Sequence, residues 1–197
     1  MLEEAPGTDP IAVLAAWHAE ARSAGAREPD AMSLATVGAA GRPAVRLVLV
    51  KGFADGEVAF VTNYESRKGR EMAANPRVAL GFFWVELGRQ VRVEGVARRA
   101  PAAESDAYFA TRPRESQLGA WASPQSQVIA SRAVLEARYA EAEARFRGRD
   151  IERPAGWGIY RVRPEQVELW IGRPHRLHDR FSYTREAAGW AIARLSP

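Results

Sequence analysis

The sequence contains no cysteine, which excludes disulfide staples, thiolate catalysis and Cys-based zinc sites. Histidine is scarce, with only His18, His175 and His178, too few for a His-rich centre, so no metal site is expected. No apolar run approaches the ~20 residues needed to cross a bilayer. The start, Met1-Leu2-Glu3-Glu4, is acidic where a secretory leader would be basic, so a cytoplasmic protein with no membrane contact is expected. Redox chemistry in such a chain needs a bound organic cofactor. Lysine is also rare: of 28 basic residues only Lys51 and Lys68 are lysines, and 26 are arginines. Two lysines in an Arg-biased chain mark places where a compact ammonium is wanted rather than a planar fork. Glycine-rich nucleotide loops and the Gly-x-Ser-x-Gly nucleophile elbow are missing as well. Any phosphate must therefore be gripped by side chains and helix ends.

The 197 residues, 47% hydrophobic and 26% charged, suit one soluble globular domain. Residues 1–8 are expected to form a flexible N-terminus and residues 9–197 a single domain. The net charge of +4 is small and its bases are interleaved with acids, so nucleic acid is not the expected partner. Asp9 as cap, Pro10 at the first helical position, Leu14, Trp17 and Ala21 on one stripe, and Gly25 as a stop predict a first helix. From Met32 to Ala97 the pattern is short β-rich runs broken by turns: 32–37, 45–53, 58–62, 78–84 and 90–97, with a short helix over 66–74. Helical stretches follow at 102–111 and 131–146, then strand-like runs at 158–162, 166–170 and 190–195. Strands outnumber helices without βαβ alternation. The fold class is therefore mainly β with α (α+β), an antiparallel barrel with helices packed outside.

Four stretches break the local rules. Ser66 caps a helix whose first turn carries Arg67, Lys68 and Arg70, against a macrodipole that disfavours each by ~0.3–1 kcal/mol, so an anion suits that end. The strand from Arg46 to Lys51 brackets an apolar core with cations on opposite faces. Tyr108 and Arg112 lie four apart on one helical face, and Pro113 then turns the chain so that Ser116 can approach; phenol, guanidinium and hydroxyl make a phosphate cradle. Arg173 to Arg180 puts six ionisable groups into eight positions, a density that suits an anionic or π-rich ligand. Trp170, just before it, belongs at a ligand edge. Each has a plainer reading as solvated or mutually paired charge.

In this order these stretches resemble the pyridoxine/pyridoxamine 5′-phosphate oxidase family. The resemblance runs from about Glu28 to Pro197 and rests on RLVLVK (46–51), TNYESRKG (62–69), RQVRVEG (89–95), SQLGAWASPQS (116–126) and RLHDR (176–180). It implies a split β-barrel of the FMN-binding type and a homodimer with FMN at the interface. Matched motif by motif, the cofactor-binding residues would be Arg46, Leu47, Val48, Leu49, Lys51, Val61, Thr62, Arg67, Lys68, Gln90, Gln125, Ser126, Trp170 and Arg180. The substrate would be held by Lys51, Tyr108, Arg112, Ser116, Arg176 and His178, with Arg176 and His178 as the catalytic pair. The implied reaction oxidises pyridoxine or pyridoxamine 5′-phosphate to pyridoxal 5′-phosphate with O2 as acceptor, giving H2O2. Ile171 and Ile159 depart from the family's Trp-Gln-Gly and Gly-Gly, Val61 replaces an aromatic, and no N-terminal segment matches the one that covers substrate. Two alternatives stand beside this: a sister flavin oxidase of the phenazine-biosynthesis type, and a non-catalytic flavin or pyridoxal-phosphate carrier.

Overall fold

The computed structural model describes residues 5–197. Helix α1 (Pro10–Ser23) begins where Asp9 Oδ1 accepts from Ile11 N at 2.9 Å, and ends before Gly25 at φ +69°, the left-handed conformation that glycine supplies at a helix C-terminus. Then come β1 (Ala31–Val37), β2 (Pro43–Ala54), β3 (Glu57–Asn63), α2 (Arg67–Ala74), β4 (Arg77–Trp84), β5 (Arg89–Arg99), α3 (Ala102–Ala110), α4 (Arg114–Ala122), α5 (Arg132–Arg145), β6 (Trp157–Ile171), β7 (Asp179–Glu186) and β8 (Gly189–Arg194). The strands form one antiparallel sheet in the order β3-β2-β1-β4-β5-β6-β7-β8, and β3 also pairs with β6. That extra pairing closes six strands into a barrel and leaves β7 and β8 as an extension. Ile11, Leu14 and Trp17 of α1 join Leu34, Phe60, Leu80, Phe82, Val93 and Leu169 in the main core. A second cluster of Phe109, Leu118, Phe146 and Trp157 binds α3, α4 and α5 to the start of β6.

The barrel with external helices agrees with the sequence reading, but three elements differ. The two runs at 158–162 and 166–170 are one strand. Pro164, which suggests a break, sits where the β5–β6 register shifts between Glu94 and Gly95, a bulge at which no ladder N–H is required. Helix α4 emerges from a stretch read only as a turn, with Pro113 as its cap. Strand β7 begins inside the basic loop, because Phe181 and Tyr183 face the core. The expectation of a flexible start falls partly on residues 1–4, outside the described residues. From Ala5 onward the segment is tied down, since Ala5 packs on the core and the Tyr183 hydroxyl donates to the Gly7 carbonyl at 2.8 Å.

Candidate active site

The barrel wall and the α2–α4 layer enclose a cleft of about 500 Å³. From β2 it receives Leu47, Val48, Leu49 and Lys51, and from β3 Val61 and Thr62; α2 adds Lys68, and Tyr108, Thr111, Arg112, Pro113, Ser116 and Gln125 come from the chain around α3 and α4. Both lysines of the protein thus meet in one cleft, and no Asp or Glu lines it. Lys68 is placed by the tight start of α2, where Ser66 accepts from Gly69 N at 3.2 Å. A Cβ on Gly69 would lie 2.1 Å from the Tyr64 carbonyl oxygen, so only glycine lets the helix begin this close to the end of β3. The Lys68 ammonium donates to Thr62 Oγ1 at 3.1 Å, Ser66 Oγ at 3.3 Å and Gln125 Oε1 at 3.0 Å. Burial, and then the charge of Arg46, hold its pKa below the usual lysine value, although Glu71 opposes them.

Arg46 and Arg67 stand behind this corner rather than among its lining residues. Both bind the buried carboxylate of Glu71, Arg46 Nη2 at 2.9 Å and Arg67 Nε at 2.8 Å, and the Thr36 hydroxyl donates to the same group. Burial alone would raise the Glu71 pKa, but these hydrogen bonds outweigh it and the net shift is downward. At the other end of the cleft, Arg112 lies over the Trp157 ring with its guanidinium carbon 4.6 Å from the centroid, and Tyr108 stacks on the same indole. Arg112 Nη1 is buried and has no hydrogen-bond partner. Desolvation lowers the Arg112 pKa, with the nearby Tyr108 acting against it. A desolvated cation with a free donor fits an anion such as phosphate, since leaving it unmatched costs free energy. The donor set of the cleft, two ammoniums, a guanidinium, hydroxyls and an amide facing an apolar β2 wall, therefore suits a phosphorylated ring compound.

The remaining expected residues lie elsewhere. Gln90, Trp170 and Arg180 are register partners across β5, β6 and β7, so their side chains share the outer face. Val61 in the cleft pairs with Ile159 at the other end of β6. At about 3.3 Å per residue, the strand from Ile159 to Trp170 spans up to roughly 35 Å. Along β6 the two groups thus stand at opposite ends of the strand. Beside this row, His178 lies 4.6 Å from Trp170 between ring centroids, and its Nδ1 accepts from Arg173 N at 3.1 Å. His175 and Arg176 follow each other at φ +58° and +62°, and Ser126, next to Gln125, has φ +69°. Left-handed non-glycine residues cost about 1–3 kcal/mol each and gather where surrounding structure fixes a functional loop.

Sequence reasoning missed Thr111 and Pro113 in the cleft, Glu71 behind it and Trp157 beneath it. The Arg67–Glu71 spacing of four residues was a usable signal for Glu71, whereas Trp157 joins the site only through tertiary packing. The departures are also explained by place. Ile171 is turned to the core side of β6, opposite Trp170, and packs on the main core, while Ile159 is buried against Ala59 and Ala100 with Val61 and Tyr108 alongside.

Residues 18–146 match the family described as pyridoxamine 5′-phosphate oxidase, and residues 157–197 match the pyridoxine 5′-phosphate oxidase C-terminal dimerisation region. A pyridoxine/pyridoxamine 5′-phosphate oxidase of Rubrobacter xylanophilus is 57% identical over 197 residues, covering 100% of this chain and 91% of the relative. One from Burkholderia multivorans is 56% identical over 200 residues, covering 100% and 93%. Among solved structures, PhzG from Burkholderia lata 383, in complex with tetrahydrophenazine-1-carboxylic acid, superposes with a TM-score of 0.92 at 33% identity, covering 98% of this chain and 94% of PhzG. With both segments of the barrel matched and relatives this similar along the whole chain, the protein belongs to the pyridoxine/pyridoxamine 5′-phosphate oxidase family.

Proposed function

We propose that the protein is an FMN-dependent oxidase that converts pyridoxine 5′-phosphate and pyridoxamine 5′-phosphate to pyridoxal 5′-phosphate, with O2 as acceptor and H2O2 as co-product. The observation that carries this reading is the buried, unpartnered Arg112 Nη1 in a cleft without carboxylates. Arg112, Lys51, Tyr108 and Ser116 would hold the substrate phosphate. Lys68, Thr62 and Gln125, with Arg67 and Ser126 beside them and Arg46 fixed behind, would hold the cofactor phosphate at the start of α2. The β2 residues Leu47, Val48 and Leu49, with Val61, would form the apolar wall. FMN, when bound, supplies the two-electron acceptor that this chain's side chains lack.

A homodimer completes the site in this reading. Val45, Leu47 and Leu49 of β2 and Phe83 of β4 are exposed, at 70, 73, 45 and 61%. They share the outer face with the Gln90–Trp170–Arg180 row, and an exposed apolar patch of this kind marks an interface. A two-fold axis on that face brings the row of one subunit over the cleft of the other. Gln90, Trp170 and Arg180 of the partner subunit would then flank the cofactor, and Arg176 and His178 of the partner subunit would face the substrate ring. The hydrogen bond from Arg173 N to His178 Nδ1 assigns the neutral ring's proton to Nε2, so proton exchange with substrate would use that nitrogen. Arg176 supplies a delocalised cation suited to stacking on the ring and steadying negative charge.

The likeness to PhzG supports a second reading, in which the same cleft takes a carboxylated reduced phenazine. Anaerobic titration of the FMN-loaded protein separates the possibilities. Bleaching of the flavin band by pyridoxine 5′-phosphate, reversed by air, is the expected result. Bleaching only by a reduced phenazine carboxylic acid moves the assignment to the second reading, and binding of FMN without bleaching by either leaves a carrier.

A further inference from the structure

Most of the shielded arginines among the described residues are matched by acids; Arg185 donates to the Pro164 carbonyl, whereas Arg112 Nη1 is left without a partner. The side chains of Arg46, Arg153 and Arg161, 20, 11 and 14% exposed, meet Glu71, Asp106 and Glu104. Among the described residues no carboxylate pairs with Arg112. Its guanidinium rests instead on aromatic faces, 4.6 Å from the Trp157 centroid and 5.5 Å from that of Phe109. The two kinds of partner differ in their consequence. A carboxylate occupies the guanidinium fork and cancels its field. An aromatic face attracts the cation through its quadrupole but takes none of its in-plane N–H donors and leaves its net charge intact. Trp157 is well placed for this role. It is 6% exposed, it stacks nearly parallel to Tyr108 at 6.2 Å and 12°, and Phe109 meets it edge-on at 5.1 Å. Its chain neighbour Gly158 lies against the Tyr64 hydroxyl, 2.0 Å from where a Cβ would stand, which locks the start of β6 beneath the cleft.

We propose that Trp157 is a positioning residue for the phosphate end of the cleft: its indole face holds Arg112 and Tyr108 where a carboxylate would otherwise be needed, so that the arginine's charge and its Nη1 donor stay available to the ligand. This rests on the phosphate-site reading above. It makes Trp157 a determinant of preference for phosphorylated over unphosphorylated ligands, without contact with either.

The test uses Trp157→Phe and Trp157→Leu as FMN-loaded protein, with pyridoxal 5′-phosphate and pyridoxal titrated by calorimetry. Loss of the cation–aromatic contact weakens pyridoxal 5′-phosphate about threefold for Phe, the weaker aromatic, and about tenfold or more for Leu. Pyridoxal binding should move by less than about twofold in both, and in turnover KM should rise while kcat stays within about twofold. Affinity for FMN, followed by flavin fluorescence, should be unchanged, because Lys68 and Gln125 sit at the other end of the cleft; it also reports that the variants are folded. If the Leu variant does not fold, the Phe variant decides. Unchanged pyridoxal 5′-phosphate affinity in a folded variant, or equal losses for both ligands, overturns the proposal. If the unsubstituted protein binds pyridoxal 5′-phosphate no better than pyridoxal, the phosphate-site reading itself fails, and this inference with it.

Discussion

The cleft at β2, β3 and α2–α4 and the outer row from Gln90 to Arg180 handle positive charge in opposite ways. Lys51, Lys68 and Arg112 line the cleft with no acid among them, and burial lowers the pKa of both Lys68 and Arg112. In and beside the row, four arginines are matched by two acids. Arg92 and Arg180 share Glu168, at 3.1 and 2.8 Å, and Arg173 and Arg194 share Asp179, each at 2.7 Å. Unmatched cations in a shielded cleft keep their field for a mobile anion. The row instead sets aromatic surface, Trp170 and His178, beside its paired charges. In the proposed reading, one region holds phosphates and the other lies against a ring.

The largest test of this contrast is Arg112→Ala. Removing a charge-assisted contact to phosphate should raise KM for the phosphorylated substrate roughly a hundredfold, measured by steady-state kinetics, with Arg112→Lys recovering only part of it. An unchanged KM would falsify the anion-site side of the comparison.

Next in size is Glu168→Ala, which leaves Arg92 and Arg180 without their shared carboxylate. Glu168 is 11% exposed at its side chain, and stripping the acid from such a cluster should cost about 2 kcal/mol in urea unfolding. Indifference of the midpoint would mean that the row's pairing is ornamental.

Lys68→Met separates binding from stability. Affinity for FMN should fall about tenfold, read by flavin titration. The melting temperature of the ligand-free protein should stay level or rise by about 1–2 °C, because burial and Arg46 already disfavour the native ammonium. A clear drop in melting temperature would show that the lysine serves the fold and not the ligand.

The smallest effect is the pH dependence of the paired acids. The pKa of Asp179 is lowered, first by the hydrogen bond from Arg194 and then by that from Arg173, and Glu71 is also lowered in net. Folded values below the ordinary 3.8 and 4.5 mean that the native state binds these protons less readily than the unfolded chain. Their stabilisation is complete above the unfolded values and is lost as pH falls through the folded ones. Thermal melts should therefore be flat in this respect down to about pH 5 and decline below it. Glu71→Gln should flatten part of that decline, and a slope identical to the parent's would show that Glu71 is not its source.

Much of both regions could be read along the chain, and what could not has a physical cause. The scarcity of lysine singled out Lys51 and Lys68, and the structure brings both to one cleft. The crowding of Arg67, Lys68 and Arg70 at a helix start pointed to the α2 corner, yet Arg67 meets Glu71 within the helix and Arg70 donates to the Glu65 carbonyl. Only Lys68 faces the cleft. Pro164 was misleading because a bulge excuses its missing N–H, a condition set by the partner strand β5. Strand β7 was hidden among charges whose partners, Glu168 and Ser196, lie on other segments.

By itself, the sequence determined the local elements and the chemistry on offer: capped helices, alternating strands, no thiol, few imidazoles, and cations in four compact stretches. Those properties depend on near neighbours along the chain, and near neighbours are what a sequence displays. Only the tertiary structure decided which cations are matched and which are left for a ligand. Closure of the barrel through β3 and β6 brings the start of β6 and Trp157 under Arg112, packing of α2 on β1 and β2 sets Glu71 against Arg46, and the β5–β6–β7 ladder sets Glu168 between Arg92 and Arg180. A charge is neutralised by what lies within a few ångströms in space, whatever its distance along the chain.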